Sequence, residues 1–139
     1  MTLGPAVPAL PVADMTAAVA CYRERLRFAV IHQEDAFAVV QRDDCLLHLW
    51  LADDDSWRAR PDLAKRPVRG GAETFLAGTA SCRIRVGDAA ALHALFDELA
   101  ATGVLHPVSR TGVAPTDYGD LELHALDADG NLLSFFFRG

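Results

Sequence analysis

The feature that most constrains this chain is that it is written twice. Val12-Ala13-Asp14, followed by Tyr22 and Glu24, returns 74 positions on as Val86-Gly87-Asp88, followed by Phe96 and Glu98. A further match, Cys45–Trp50 against Asn131–Phe136, runs at an offset of 86, so the second copy carries 12 extra residues between its helix and its last strand. A repeat of this kind fixes architecture ahead of any local propensity. It predicts one domain over residues 1–139, with a first unit at about 5–53, a linker at about 54–79 and a second unit at about 80–139.

Each unit reads βαβββ. Residues 7–12 predict a short strand, and Pro8 and Pro11 suit an edge position. Asp14 is placed to cap a helix whose apolar stripe is Met15, Ala18, Val19, Tyr22 and Leu26. Strands follow at about 28–33, 37–42 and 45–52, separated by Glu34-Asp35 and Asp43-Asp44. In the second unit Ser81–Val86 is a strand, Asp88 caps a helix with Ala89, Leu92, Leu95, Phe96 and Leu99 on one side, and Gly103 ends it. Strands near 105–109, 120–126 and 132–138 complete the copy, with a tight turn at Asp129-Gly130.

Composition narrows the function classes. Hydrophobic residues make up 51% and charged residues 23%, as in an ordinary globular protein. No run is long enough to span a membrane, and the N-terminus has no secretory pattern, so a cytoplasmic protein is expected. Cys21, Cys45 and Cys82 are odd in number and widely spaced, which fits neither a disulfide framework nor a zinc site. The net charge of −6 argues against nucleic acid and suits a neutral or cationic partner. Residues 53–79 are polar and irregular. They read either as a solvated linker or as a flap, over about 58–78, with Trp57 or Phe75 on its inner side.

Two βαβββ units in one short chain resemble the vicinal oxygen chelate superfamily. Val12-x-Asp14 with Tyr22 and Leu26-x-Phe28 is similar to that family's first β–α unit. Asp127-Ala128-Asp129-Gly130-Asn131 is similar to its closing turn, with Ala128 where proline is usual. The resemblance covers nearly the whole chain except the linker. It implies an α+β fold of two cupped mixed sheets around a cleft. Strand alternation then sorts the side chains. Leu46, His48 and Trp50, then Leu132, Ser134 and Phe136, then Ser81, Arg83 and Arg85 are expected on the cleft side. Leu47/Leu49, Phe135/Phe137 and Ile84/Val86 are expected beneath the helices.

The superfamily's enzymes hold a divalent metal with His and Glu from four strands. The matching positions here are Val7, His48, Ser81 and Ser134. Only His48 is a competent ligand, and a catalytic site ordinarily needs three. No metal, cofactor or catalytic residue is therefore expected, and His48 reads as a cleft residue that bonds Ser134 or Ser81 or touches a ligand. A metal-free member resembles the antibiotic-binding branch typified by bleomycin resistance proteins, which are homodimers that sequester a drug at the dimer interface. The stretch Glu34–Asp44 is similar to that branch and places its first stacking aromatic on Phe37; Tyr118 falls at the second.

The implied ligand is a small aromatic antibiotic, bleomycin-like or, because Arg83 faces the cleft and prefers an oxygen acceptor, an anthraquinone or enediyne. The ligand-binding set is then Phe37, His48, Trp50, Ser81, Arg83, Tyr118, Ser134 and Phe136. Two other readings compete. One is a metal enzyme with a displaced site on His48, Glu122 and His124. The other is a remnant that binds a protein or metabolite.

Overall fold

The computed structural model of the protein describes residues 1–53, 61, 62, 64, 65, 67 and 72–139. The first unit is β1 (Ala9–Val12), α1 (Met15–Glu24), β2 (Ala29–Gln33), β3 (Phe37–Arg42) and β4 (Cys45–Leu51). The second is β5 (Ser81–Arg85), α2 (Ala89–Thr102), a 3-10 turn (Pro107–Ser109), β6 (Ala114–Pro115), β7 (Asp120–Leu126) and β8 (Leu132–Arg138). Each unit makes a four-stranded mixed sheet, in the orders β1-β4-β3-β2 and β5-β8-β7-β6. The first strand of each unit runs parallel to the last, and the other pairs are antiparallel. The α+β fold of repeated βαβββ units is as the repeat predicts.

Local chemistry explains the helix boundaries. The Asp14 and Asp88 carboxylates accept from Ala17 N (3.0 Å) and Ala91 N (2.7 Å), satisfying donors that a helix start leaves unpaired. Gly103, at φ 75°, closes α2 in the left-handed conformation that glycine adopts without strain. The proline-rich start shortens β1, which begins at Ala9 and forms the sheet edge.

One predicted strand is corrected. Residues 105–109 give a single bridge, Leu105 to Ala125, and then the 3-10 turn. Pro107 has no N–H to offer a ladder, and the ring of His106 accepts from Val108 N at 3.0 Å instead. The edge strand beside β7 is the two-residue β6, which holds the place in the second sheet that β2 holds in the first.

One core serves both units. From α1 it takes Met15, Ala18, Val19 and Tyr22, and from α2 Leu92 and Leu99. From the sheets it takes Leu10, Val12, Ala38, Val40, Leu47, Leu49, Leu123, Ala125, Leu133 and Phe135. These sheet positions are the alternate residues of their strands, so each sheet turns one face to the core and leaves the other open. Leu95 and Phe96 of α2 are only half-buried at the core's margin.

The closing turn stitches the halves together. The buried Asp127 carboxylate accepts from Tyr22 Oη (2.9 Å), from Asn131 Nδ2 (2.9 Å) and from the backbone N–H groups of Asp129 and Asn131 (2.9 Å each). Asn131 Nδ2 also donates to Pro11 O at 2.8 Å, and its Oδ1 accepts from Ala80 N at 3.1 Å. Burial and the adjoining Asp127 push the Tyr22 phenol well above its ordinary range. On the far side Arg42 donates to Glu98 at 2.7 and 3.2 Å, and Thr102 Oγ1 donates to Arg25 O at 2.9 Å. The motif's residues are thus committed to folding and leave the open faces free.

Candidate ligand-binding site

The open face of the first sheet carries a cluster of rings. Phe37 and Trp50 are register partners on β3 and β4, and their centroids stand 4.6 Å apart at 63°. His48 meets Phe37 edge-on at 5.0 Å and 78°, and His32 of β2 lies 6.1 Å from the same ring. Alternation on three strands therefore converges on Phe37. The Trp50 indole N–H is closed to solvent and has no acceptor among the described residues. Leaving such a donor unpaired costs about 1–3 kcal/mol, so this corner of the face is one that an acceptor atom would stabilise.

The open face of the second sheet is charged. Arg83 donates to Glu122 Oε1 at 2.6 Å and to Asp120 Oδ2 at 3.0 Å, and its guanidinium stacks 4.3 Å from the Phe136 centroid. Arg138 takes the other Asp120 oxygen at 2.6 Å. Tyr118 Oη donates to Glu122 Oε1 at 2.6 Å. The second Glu122 oxygen lies 3.2 Å from His124 Nε2, and His124 Nδ1 shares a 2.8 Å hydrogen bond with Ser134 Oγ.

Electrostatics follow from these contacts. Burial works to raise the Glu122 carboxyl, but the hydrogen bonds from Tyr118 and Arg83 outweigh it and hold it below its usual value. The Arg138 hydrogen bond holds Asp120 low. The bond to Glu122 raises Tyr118.

His48 does not reach across to Ser134; its ring is against Phe37, and Ser134 is paired with His124. Arg83, expected on the cleft side, has a side chain 44% exposed and takes its oxygen acceptors from two carboxylates of its own sheet. Phe37 and Tyr118 stand on different sheets, with Tyr118 57% exposed at the rim just before β7. Ser81 is exposed at the start of β5. Phe75 is 37% exposed, and Trp57 lies outside the described residues. Sequence reasoning missed His32, Asp120 and Arg138 as members of these faces. Strand parity was the available signal, since Asp120 shares its side of β7 with Glu122 and His124.

A cavity of about 570 Å³ lies between β4 and β5, apart from the ring cluster, with Leu46 on one side and Arg83 and Arg85 on the other. Pro5, Ala6, Pro8, Phe28, Leu95 and Phe135 contribute its apolar surface. A separate hollow of about 430 Å³ lies over Phe136.

The donor set does not fit a family-type metal. Val7 carries no donor and is 42% exposed ahead of β1, His48 is packed on Phe37, and Ser134 is engaged by His124. Among the described residues, no three His, Cys, Asp or Glu side chains gather as a metal site requires. Ser134–His124–Glu122 has the connectivity of an acyl-transfer triad, but the chemistry does not follow. Ser134 sits in mid-strand, paired to both Arg83 and His124 in the ladder, and Arg83 and Tyr118 already spend the charge of Glu122. Cys82 is no nucleophile, because burial pushes its thiol up to about 12.

A family model matches residues 4–135, that of the Glyoxalase/Bleomycin resistance protein/Dioxygenase superfamily. The chain belongs to this superfamily. Within it, the chain is 39% identical over 130 residues to a bleomycin resistance protein of Geobacillus stearothermophilus, covering 94% of this chain and 93% of that one. A bleomycin resistance protein of Staphylococcus aureus matches at the same identity and coverage.

Among solved structures, a bleomycin-binding protein from bleomycin-producing Streptomyces verticillus, complexed with copper(II)-bleomycin, superposes with TM-score 0.70. It is 25% identical and covers all of this chain and 98% of its own. A lactoylglutathione lyase from Agrobacterium tumefaciens shares the fold at TM-score 0.69 and 17% identity, over 96% of this chain and 92% of that chain. The fold is thus shared by a bleomycin-binding protein and a lyase, and function rests on the site. No helix among the described residues is long and apolar enough to cross a membrane.

Proposed function

We propose that the protein confers antibiotic resistance by sequestering a flat aromatic antibiotic of the bleomycin kind, without chemistry, in clefts formed where two copies of the chain meet. The observation that carries the reading is the ring cluster of Phe37, Trp50, His48 and His32 on an open sheet face. An offset or edge-on ring contact adds about 0.5–1.5 kcal/mol to the area it buries. The Trp50 N–H, without an acceptor among the described residues, offers a donor to a ligand carbonyl. The 39% identity to bleomycin resistance proteins over nearly the full chain supports the drug class. The net charge of −6 draws in a cationic drug.

Pairing of two copies is part of the reading because each face alone is open. The first-sheet face of one copy, closed by the second-sheet face of the other, gives a cleft with Phe37 on one wall and Tyr118 and Phe136 on the opposite one. The metal-enzyme alternative would need His48 together with Glu122 and His124, which stand on separate sheets.

The test is titration calorimetry with bleomycin. The wild-type protein binds, and Phe37→Ala and Tyr118→Ala each weaken binding by about ten- to a hundredfold. Affinity unchanged in both variants, or turnover that depends on an added divalent metal, would sink the reading.

A further inference from the structure

The hollow over Phe136 carries a charge bias opposite to that of the molecule. Three guanidinium groups, those of Arg83, Arg85 and Arg138, line it with one carboxylate, Asp120, while Glu122 lies behind Arg83. Arg83 and Arg138 are held by these carboxylates. Arg85 makes no ion pair among the described residues, and its guanidinium stands 5.3 Å from the Phe136 centroid. Three cations against two anions leave a surplus positive charge, on Arg85, in a chain whose net charge is −6. Average composition does not produce that surplus, and packing does not require it, since Arg85 is exposed.

We propose that this hollow is a subsite for an ionised acidic oxygen carried on a flat ring system: an aryl sulfonate, carboxylate or phenolate. The ligand's ring lies against the Arg83–Phe136 stack, and its oxyanion takes the free donor fork of Arg85. A neutral arene would gain only the stacking. An aryl oxyanion gains stacking and a charge-assisted, potentially bidentate hydrogen bond at one place. An aryl cation would face the surplus charge. The inference rests on the sequestration reading for the flatness of the ligand, and it adds the chemistry of one substituent.

The experiment compares anthraquinone-2-sulfonate with neutral 2-(hydroxymethyl)anthraquinone by titration calorimetry, on the wild-type protein and on R85Q and R110Q. The wild-type protein prefers the sulfonate by about tenfold or more, and added salt erodes the preference. R85Q loses most of it. R110Q, which makes the same charge change at an exposed residue outside the hollow, retains it. Equal affinity for the two probes, or a preference that survives R85Q, overturns the proposal. Bleomycin is titrated alongside. If bleomycin binds and the sulfonate is not preferred, the inference falls while sequestration stands. If the sulfonate is preferred and bleomycin does not bind, the inference holds and bleomycin is not the ligand.

Discussion

Tyr22 shows how one side chain can serve two levels of structure. Its ring packs edge-on to Phe28 at 5.6 Å inside the first unit, and its hydroxyl reaches Asp127 in the second. Tyr22→Phe keeps the ring and removes one of four donors to a buried carboxylate. The expected cost is about 1–3 kcal/mol, read as a lower urea midpoint at neutral pH. The same residue sets a pH dependence. An unfolded tyrosine ionises near pH 10, about the ordinary value, while the folded phenol resists. Its contribution is therefore complete below that pH and is lost as pH rises further, because the unfolded state sheds a proton that the native state keeps. The thiols of Cys21, Cys45 and Cys82, raised by partial or full burial, act in the same direction. The unfolding free energy of the Phe variant above pH 10 should fall less steeply than that of wild type, by up to about 1.4 kcal/mol per pH unit. Equal slopes would mean that Tyr22 ionises as freely folded as unfolded.

At the scale of elements, the caps, the helix stripes and the strand parity were legible because each depends on neighbours a few residues away. Asp14, Asp88 and Gly103 do what their positions in the repeat imply. The edge strand of the second sheet was not legible, because Pro107 breaks a ladder that hydropathy alone would continue. The partners of His48 and Ser134 were not legible either. They depend on the register of β7 against β8 and of β3 against β4, which no local pattern states. The turn that joins β7 to β8 also meets the linker. Gly78, at φ 77°, lies so close that an added Cβ would stand 2.0 Å from Asp129 O. Gly78→Ala must both strain its backbone and push the closing turn. We expect a loss of about 2–4 kcal/mol in a thermal or urea unfolding series. A variant as stable as wild type would show that this crossing relaxes freely.

For the whole molecule, the repeat made the architecture readable before any element was assigned, and the common core joins the two halves. What it did not reveal is how the halves present their open faces, since that is set by the crossing contacts at Asp127, Glu98 and Thr102 rather than by either unit's own sequence. With clefts between copies as proposed, sedimentation equilibrium should give twice the 15.0 kDa chain mass at micromolar concentration. A monomer that still binds bleomycin would place the whole cleft within one chain. The alternation along β3, β4, β7 and β8 has one more consequence. Core residues and open-face residues interleave one by one, yet they answer to different pressures. Leu47, Leu49, Leu133 and Phe135 pack in the core, while His48, Trp50 and Phe136 stand on the open faces, only half-buried. A chain built this way can change what it recognises in single steps and remain folded throughout, which makes it a ready starting point for selection against a new toxic compound.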